Sequence, residues 1–225
     1  MDKLQIRLRF CSDATFGRGD GVAGLVDEEV EYDVATGLPF MRGRVLKGLL
    51  VEECANILYA LGNAKSEIFK ESARFLFGQA GSRLEDEACM RVGPALLPAD
   101  LRRAVQAAVE AKKLTPTAVL ESLTTIRRQT AVDEESGAPA EGSLRAMRVV
   151  IRETVFAAPL YFVRQPDNAD NCYALLAACV AALRRAGTGR NRGRGRLQAR
   201  LYDVQGNDWT DKYLPQFTAL IQEGK

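Results

Sequence analysis

The chain has 225 residues, 47 % apolar and 27 % charged, with a formal net charge of +2. This is the profile of a soluble globular protein with one well-cored domain or two small ones, and bulk charge alone announces no polyanionic partner. There is no histidine, which removes the commonest general base, the Ser-His and Cys-His nucleophile pairs and mixed Cys/His zinc sites.

Met1-Asp2-Lys3 leads directly into a strand pattern, so no signal peptide is expected. Over residues 4–10, Leu4, Ile6, Leu8 and Phe10 alternate with Gln5, Arg7 and Arg9, the period of a half-buried strand. Arg7 and Arg9 make its outer face either a solvated sheet surface or an RNA-facing one. Residues 11–43 hold a long Gly/Asp-rich loop with a short strand expected at 28–32. Leu46, Leu50, Cys54, Ile57 and Leu61 then form one apolar stripe, which predicts a helix over 44–61 ended by Gly62-Asn63.

Residues 63–122 read as a mostly helical insertion, with helices expected over 66–77, 98–113 and 116–123 and a strand-like piece near 88–92. Two strand-like segments, 123–132 and 145–163, flank the polar Gly/Pro stretch Asp133–Gly142, an extended hairpin with an exposed tip. A second helix is expected over 169–186, its apolar positions fit for close packing on a sheet. A Gly/Arg loop, a strand at 197–204 and a short helix over 213–221 complete the chain. Without the insertion the order is strand, helix, strand, strand, helix, strand. That is an α+β, ferredoxin-like (RRM-like) βαββαβ core.

The five cysteines are scattered, with no C-x-x-C pair, which suits free thiols in a reducing cytosol. No apolar run is long enough to span a membrane. A cytoplasmic protein without a membrane partner is therefore expected.

The charges are unevenly spread. Six arginines fall between Arg184 and Arg196, and acids gather at 27–33 and 133–135. The segment Gly187-Thr188-Gly189-Arg190-Asn191-Arg192-Gly193-Arg194-Gly195-Arg196 joins a helix to a strand. Its glycines let backbone N–H groups approach phosphate, and its guanidinium forks bind phosphate bidentately and stack on bases. This combination points to nucleic acid. A second basic segment, Pro39-Phe40-Met41-Arg42-Gly43-Arg44-Val45-Leu46-Lys47-Gly48, opens a helix whose free N–H groups suit an anion; by itself it is equally a helix start with solvated bases. Asp20, Asp27, Glu28, Glu29 and Asp33 form an acidic loop. Without histidine, RNA hydrolysis would need such a carboxylate, to take a proton from a 2′-hydroxyl or to hold a divalent metal, although a solvated acidic loop has the same composition.

Together these segments resemble the RAMP superfamily of CRISPR-associated RNA-binding proteins, and within it the repeated backbone subunits of type III (Csm/Cmr-like) effectors. The 39–48 segment is similar to the family's Pro-x-x-Pro-Gly-Ser-Ser-Leu-Lys-Gly motif. Gly43, Leu46, Lys47 and Gly48 match, while Arg42 replaces the second Pro and Arg44-Val45 the Ser pair. Phe77-Gly78 resembles a short step after the first helix. Thr125–Ala131 with Arg148-Val149-Val150 resembles the thumb hairpin that wedges between guide and target, and 187–196 resembles the C-terminal glycine-rich loop.

The resemblance implies one RAMP domain over 1–225, with core 1–62 and 123–205, helical insertion 63–122, thumb hairpin 127–148 and C-terminal tail 206–225. It implies an RNA interface of Arg42, Gly43, Arg44, Lys47, Arg127, Arg128, Gly189, Arg190, Arg192, Gly193, Arg194 and Gly195. It implies target-RNA cleavage by Asp27, with Asp20 and Glu28 next in line, assisted by Mg2+ or another divalent cation. Guide RNA, target RNA and further effector subunits, other RAMP subunits among them, would be the partners in antiviral defence. A non-catalytic structural or capping subunit is the alternative. A guide-processing endonuclease fits less well, because those enzymes often use histidine.

Overall fold

A computed structural model of the chain describes residues 3–223 apart from 18, 80–86, 132, 134, 139 and 141. β1 (Leu4–Phe10) keeps the expected alternation, with Leu4, Ile6, Leu8 and Phe10 buried and Arg7 and Arg9 exposed. It is a central strand of a four-stranded antiparallel sheet, paired on one side with β5 (Val155–Phe162) and on the other with β6 (Leu197–Asp203). The full order is β2-β5-β1-β6, the split βαβ arrangement.

The segment expected to be the second core strand is elsewhere. β3 (Thr124–Gln129) pairs only with β4 (Arg145–Val150), in a separate two-stranded sheet. The edge of the main sheet is instead β2 (Met90–Val92), which pairs with β5. Three residues are too short to show a period, which is why the sequence pattern favours the longer hairpin strand. The run 145–163 is likewise two strands, broken where Glu153 takes a positive φ of 70°. Residues 28–32 make isolated bridges, such as Val30 to Gly17 and Tyr32 to Pro39, and not a strand. Of the acidic hairpin tip, Glu134, Pro139 and Glu141 lie outside the described residues.

The helices cover the buried face. α1 (Gly43–Phe77) kinks at Gly62 (φ 71°) and continues, so the two expected helices join end to end. Its second half is part of the core: Phe69, Phe75 and Leu76 are buried, and Phe69 lies 4.9 Å from Phe217 of α5 (Trp209–Glu223). The segment 63–122 thus supplies core side chains and a sheet strand, together with α2 (Ala99–Glu110) and α3 (Pro116–Leu123). Thr115 caps α3 by accepting the Ala118 N–H at 3.2 Å. α4 (Ala169–Ala182), capped by Asn168, is buried at every position from Cys172 to Val180 because α1, α5 and the sheet all pack on it. Among the described residues no helix is long and apolar enough to cross a membrane.

Candidate nucleic-acid interface

Three loops meet at one end of the sheet: the segment after β1, the start of α1 and the Gly/Arg segment before β6. Main-chain bonds hold them together. Thr188 N–H donates to the Thr15 carbonyl at 2.7 Å, and Gly195 N–H to the Asp13 carbonyl at 2.9 Å. Gly187 makes this approach sterically feasible. Its φ is +91°, and a Cβ there would stand 2.3 Å from the Thr15 carbonyl oxygen. Between Gly189 and Gly193 the loop forms a short 3-10 turn, Arg190–Arg192.

A groove of about 470 Å3 opens between the loops, lined by Gly17, Arg42, Arg44, Glu52, Gly187, Thr188 and Arg190 among others. The two basic segments of the sequence therefore share one surface. Through Gly187, Thr188 and Arg190 the groove adjoins a second hollow of about 700 Å3, lined by Asp27, Glu28, Gln129, Arg145, Met147, Arg192 and Arg194. Basic loop, acidic loop and hairpin root are thus brought together.

Several guanidinium groups are held by carboxylates. Arg42 bonds Glu31 at 2.7 Å, Arg190 grips Glu52 through two bonds of 3.0 and 2.8 Å, and Arg127 grips Asp13 at 2.9 and 2.7 Å. Hydrogen bonding to the carboxylate, then its charge, raises Arg42 and Arg190 above their ordinary values, so both stay cationic and oriented. Arg194 donates to Gln129 at 3.0 Å and contacts the Met147 sulfur, which points it along the hairpin root. Among the described residues the side chains of Arg44, Arg128, Arg145 and Arg192 make no ion pair, and all four are exposed.

Lys47 and Gly43 stand apart. Lys47 is half-buried on the β2 side of α1 and outside the groove lining; burial and then the nearby Arg91 charge lower its pKa. Gly43 lies against the backbone of Val92 and Gly93, where a Cβ would be 2.0 Å from the Val92 carbonyl oxygen. On the outer sheet face Arg7 rests on the Tyr202 ring at 4.3 Å and Arg9 pairs with Glu153; neither lines the groove.

Asp27 is exposed in the second hollow, and the main chain fixes it. Its N–H donates to the Ala146 carbonyl at 2.7 Å, and its Oδ2 accepts the Ala146 N–H at 2.6 Å. Glu28 is half-buried and accepts the Thr188 hydroxyl, tying the acidic loop to the Gly/Arg loop. Asp20 is exposed outside this lining, its carbonyl accepting the Glu29 N–H at 3.1 Å. Behind them Glu29 and Arg148 form a buried ion pair with N···O 2.9 Å. Sequence pattern gave no sign of this pair, of Asp13 or of Glu52, since each partner lies on a distant segment. Arg145 was visible only as the residue opening a strand.

Chemically, the second hollow sets a carboxylate against unpaired guanidinium groups. A carboxylate there can accept a proton, and the guanidinium groups can hold a phosphate as charge develops on it. No group of three or more Asp, Glu or Cys side chains gathers among the described residues. The described residues therefore present no all-protein cage for a divalent ion.

The RAMP superfamily model matches residues 7–198, which takes in all three converging loops. The chain belongs to the RAMP superfamily. Among solved structures, this RAMP protein is similar to a chain of a type III-B Cmr-beta complex in its apo state, with TM-score 0.61 and 13 % identity, covering 91 % of this chain and 98 % of that one. A chain of the type III-B Cmr-beta complex bound to cognate target RNA gives TM-score 0.61 and 12 % identity, with 89 % and 97 % covered. At such identity these likenesses establish a shared fold. A search of curated proteins returns no match.

Proposed function

We propose that this RAMP protein is a guide-RNA-binding backbone subunit of a type III CRISPR effector complex, acting in the cytoplasm, and that it cleaves guide-paired target RNA. The observation that carries the reading is the single groove shared by the Gly/Arg loop and the start of α1. A run of cationic forks and glycine amides along one surface fits the sugar-phosphate backbone of one strand, leaving the bases to pair. The similar chain in a target-bound complex adds support. The adjoining hollow then receives the second strand. There Asp27 takes the proton of the attacking 2′-hydroxyl as its oxygen bonds to phosphorus; the P–O5′ bond breaks, leaving a 2′,3′-cyclic phosphate and a 5′-oxygen that takes a proton from water, while Arg145 and Arg192 face the phosphate. Asp27 would be the residue to hold Mg2+ or another divalent cation, which would supply positive charge to the reacting phosphate; one or two carboxylates plus substrate phosphates suffice for that ion.

A non-catalytic structural or capping subunit is the second reading. One observation favours it: Asp27 commits one carboxylate oxygen to the Ala146 N–H. A complex reconstituted with guide RNA decides between them. Asp27→Ala is expected to leave assembly and target binding intact and to slow cleavage by about 100-fold or more, the scale of a lost general base. Unchanged cleavage selects the non-catalytic reading. Arg44→Ala, in the groove that takes the guide, is expected to weaken guide binding and to flatten its salt dependence by roughly one phosphate contact; guide binding indifferent to Arg44 and to salt would overturn both readings.

A further inference from the structure

On the far side of the Gly/Arg loop, at the outer edge of β6, lies a cavity of about 550 Å3 that shares no residue with the two hollows described above. Residues 198, 200 and 202 direct their main-chain groups toward β1, so the odd-numbered residues face outward. Most outward N–H groups are taken: Leu197 donates to the Arg184 carbonyl at 2.9 Å, Leu201 to the Thr210 hydroxyl at 2.7 Å and Asp203 to the Asn207 carbonyl at 3.1 Å. Ala199, which lines the cavity, is the edge position for which no such bond is found among the described residues.

Four exposed arginines surround it: Arg184, Arg185, Arg196 and Arg200. Arg200 is held by Asp208 and Asp211 at 2.8 and 2.7 Å, which also neutralises the one acid in the lining. Arg185 donates to the Arg190 carbonyl at 3.2 Å. Arg184 and Arg196 make no ion pair among the described residues. The floor is aliphatic, formed by Ala181, Leu183 and Leu214.

We propose that this edge docks an extended acidic peptide segment of a partner protein, which pairs its backbone with Ala199, sets an apolar side chain on the aliphatic floor and places flanking carboxylates on Arg184 and Arg196. Ala199, the one edge position left without a bond among the described residues, supplies the backbone recognition and the pocket beside it the side-chain recognition. The excess of guanidinium groups over acids gives the complementary charge. RNA fits less well, because no aromatic ring lines the cavity for a base to stack on. The inference stands independently of the RNA reading.

The test uses the full chain and a fluorescein-labelled hexapeptide of alternating glutamate and valine, followed by fluorescence anisotropy and by the amide resonance of Ala199. Saturable binding with a shift of that resonance is expected. Binding should weaken at least 10-fold in Arg184→Glu, and also when alternate peptide amides are N-methylated. A uridine hexanucleotide should neither compete nor lose affinity in Arg184→Glu. The Ala199 shift in the unaltered chain tests the proposal even if Arg184→Glu proves misfolded. Absence of binding, equal binding of a lysine-for-glutamate peptide, indifference to N-methylation, or competition by the hexanucleotide at Ala199 would each overturn it.

Discussion

Replacing Arg148 by Met should destabilise the whole chain and release the acidic loop. Its guanidinium lies within 2.9 Å of the Glu29 carboxylate, and the two side chains are 9 % and 4 % exposed. Thr124 Oγ1 accepts a further bond at 3.4 Å, and the Arg148 main chain is bonded by the Glu28 carbonyl at 3.0 Å and the Thr15 hydroxyl at 3.0 Å. Arg148→Met leaves the Glu29 carboxylate buried without its counter-ion, and breaking one side of a buried pair costs about 3–5 kcal/mol. At about 2–4 °C per kcal/mol for a chain of this size, the midpoint should fall by roughly 6–20 °C. Met keeps most of the side-chain volume, so the loss reports the charge and not a cavity. The double variant Glu29→Leu/Arg148→Met removes both charges and should recover most of the stability, because a buried pair gains little over apolar packing. Urea unfolding and calorimetry on all four chains measure the cycle. A single-variant loss below about 1 kcal/mol, or a double variant as unstable as the sum of the singles, would refute the reasoning.

Two further outcomes follow from the same geometry. Gly187→Ala should cost more than Gly193→Ala, although both glycines have positive φ (91° and 80°), because only at position 187 would a Cβ strike backbone, the Thr15 carbonyl; at 193 nothing lies within 4 Å. Urea unfolding should show a loss of about 1–2 kcal/mol for Gly193→Ala and more for Gly187→Ala, with guide affinity falling chiefly in the latter; equal losses would contradict this. Cys172 is pushed up to about 12 from an ordinary 9.0, first by burial and then by the nearby Cys89. The folded chain thus holds this proton more tightly than the unfolded one, and the associated stability is complete below pH 9 and lost as pH rises through about 12. Between pH 9 and 11, stability of the native chain should fall more steeply than that of Cys172→Ala by up to about 1.4 kcal/mol per pH unit; parallel slopes would show that the thiol titrates alike in both states.

Membership of the RAMP superfamily rests on local features the sequence shows directly. The alternation of β1, the apolar stripe of α1, the apolar α4 and the Gly/Arg segment each declare themselves within one short run of consecutive residues, because strand and helix periods are properties of neighbouring positions. The absence of histidine likewise restricts the chemistry without any structure. Which strand completes the sheet is a different kind of fact. Met90–Val92 wins the edge beside β5 through three residue pairs, while the longer 124–129 segment pairs with β4 and forms the hairpin. Nothing in either segment's own pattern encodes that choice.

The same division runs through the interface. Composition alone marks Arg190, Arg192 and Arg194 as a basic loop, but only the tertiary structure ties Arg190 to Glu52, leaves Arg192 open, turns Lys47 toward Arg91 and sets Asp27 against Arg145. Hydrogen bonds and ion pairs act over a few ångströms of space, between residues as far apart in the chain as Arg127 and Asp13, or Arg148 and Glu29. Residue type and period are written one position at a time. Partner choice is fixed only when the folded sheet and helices bring distant segments within reach.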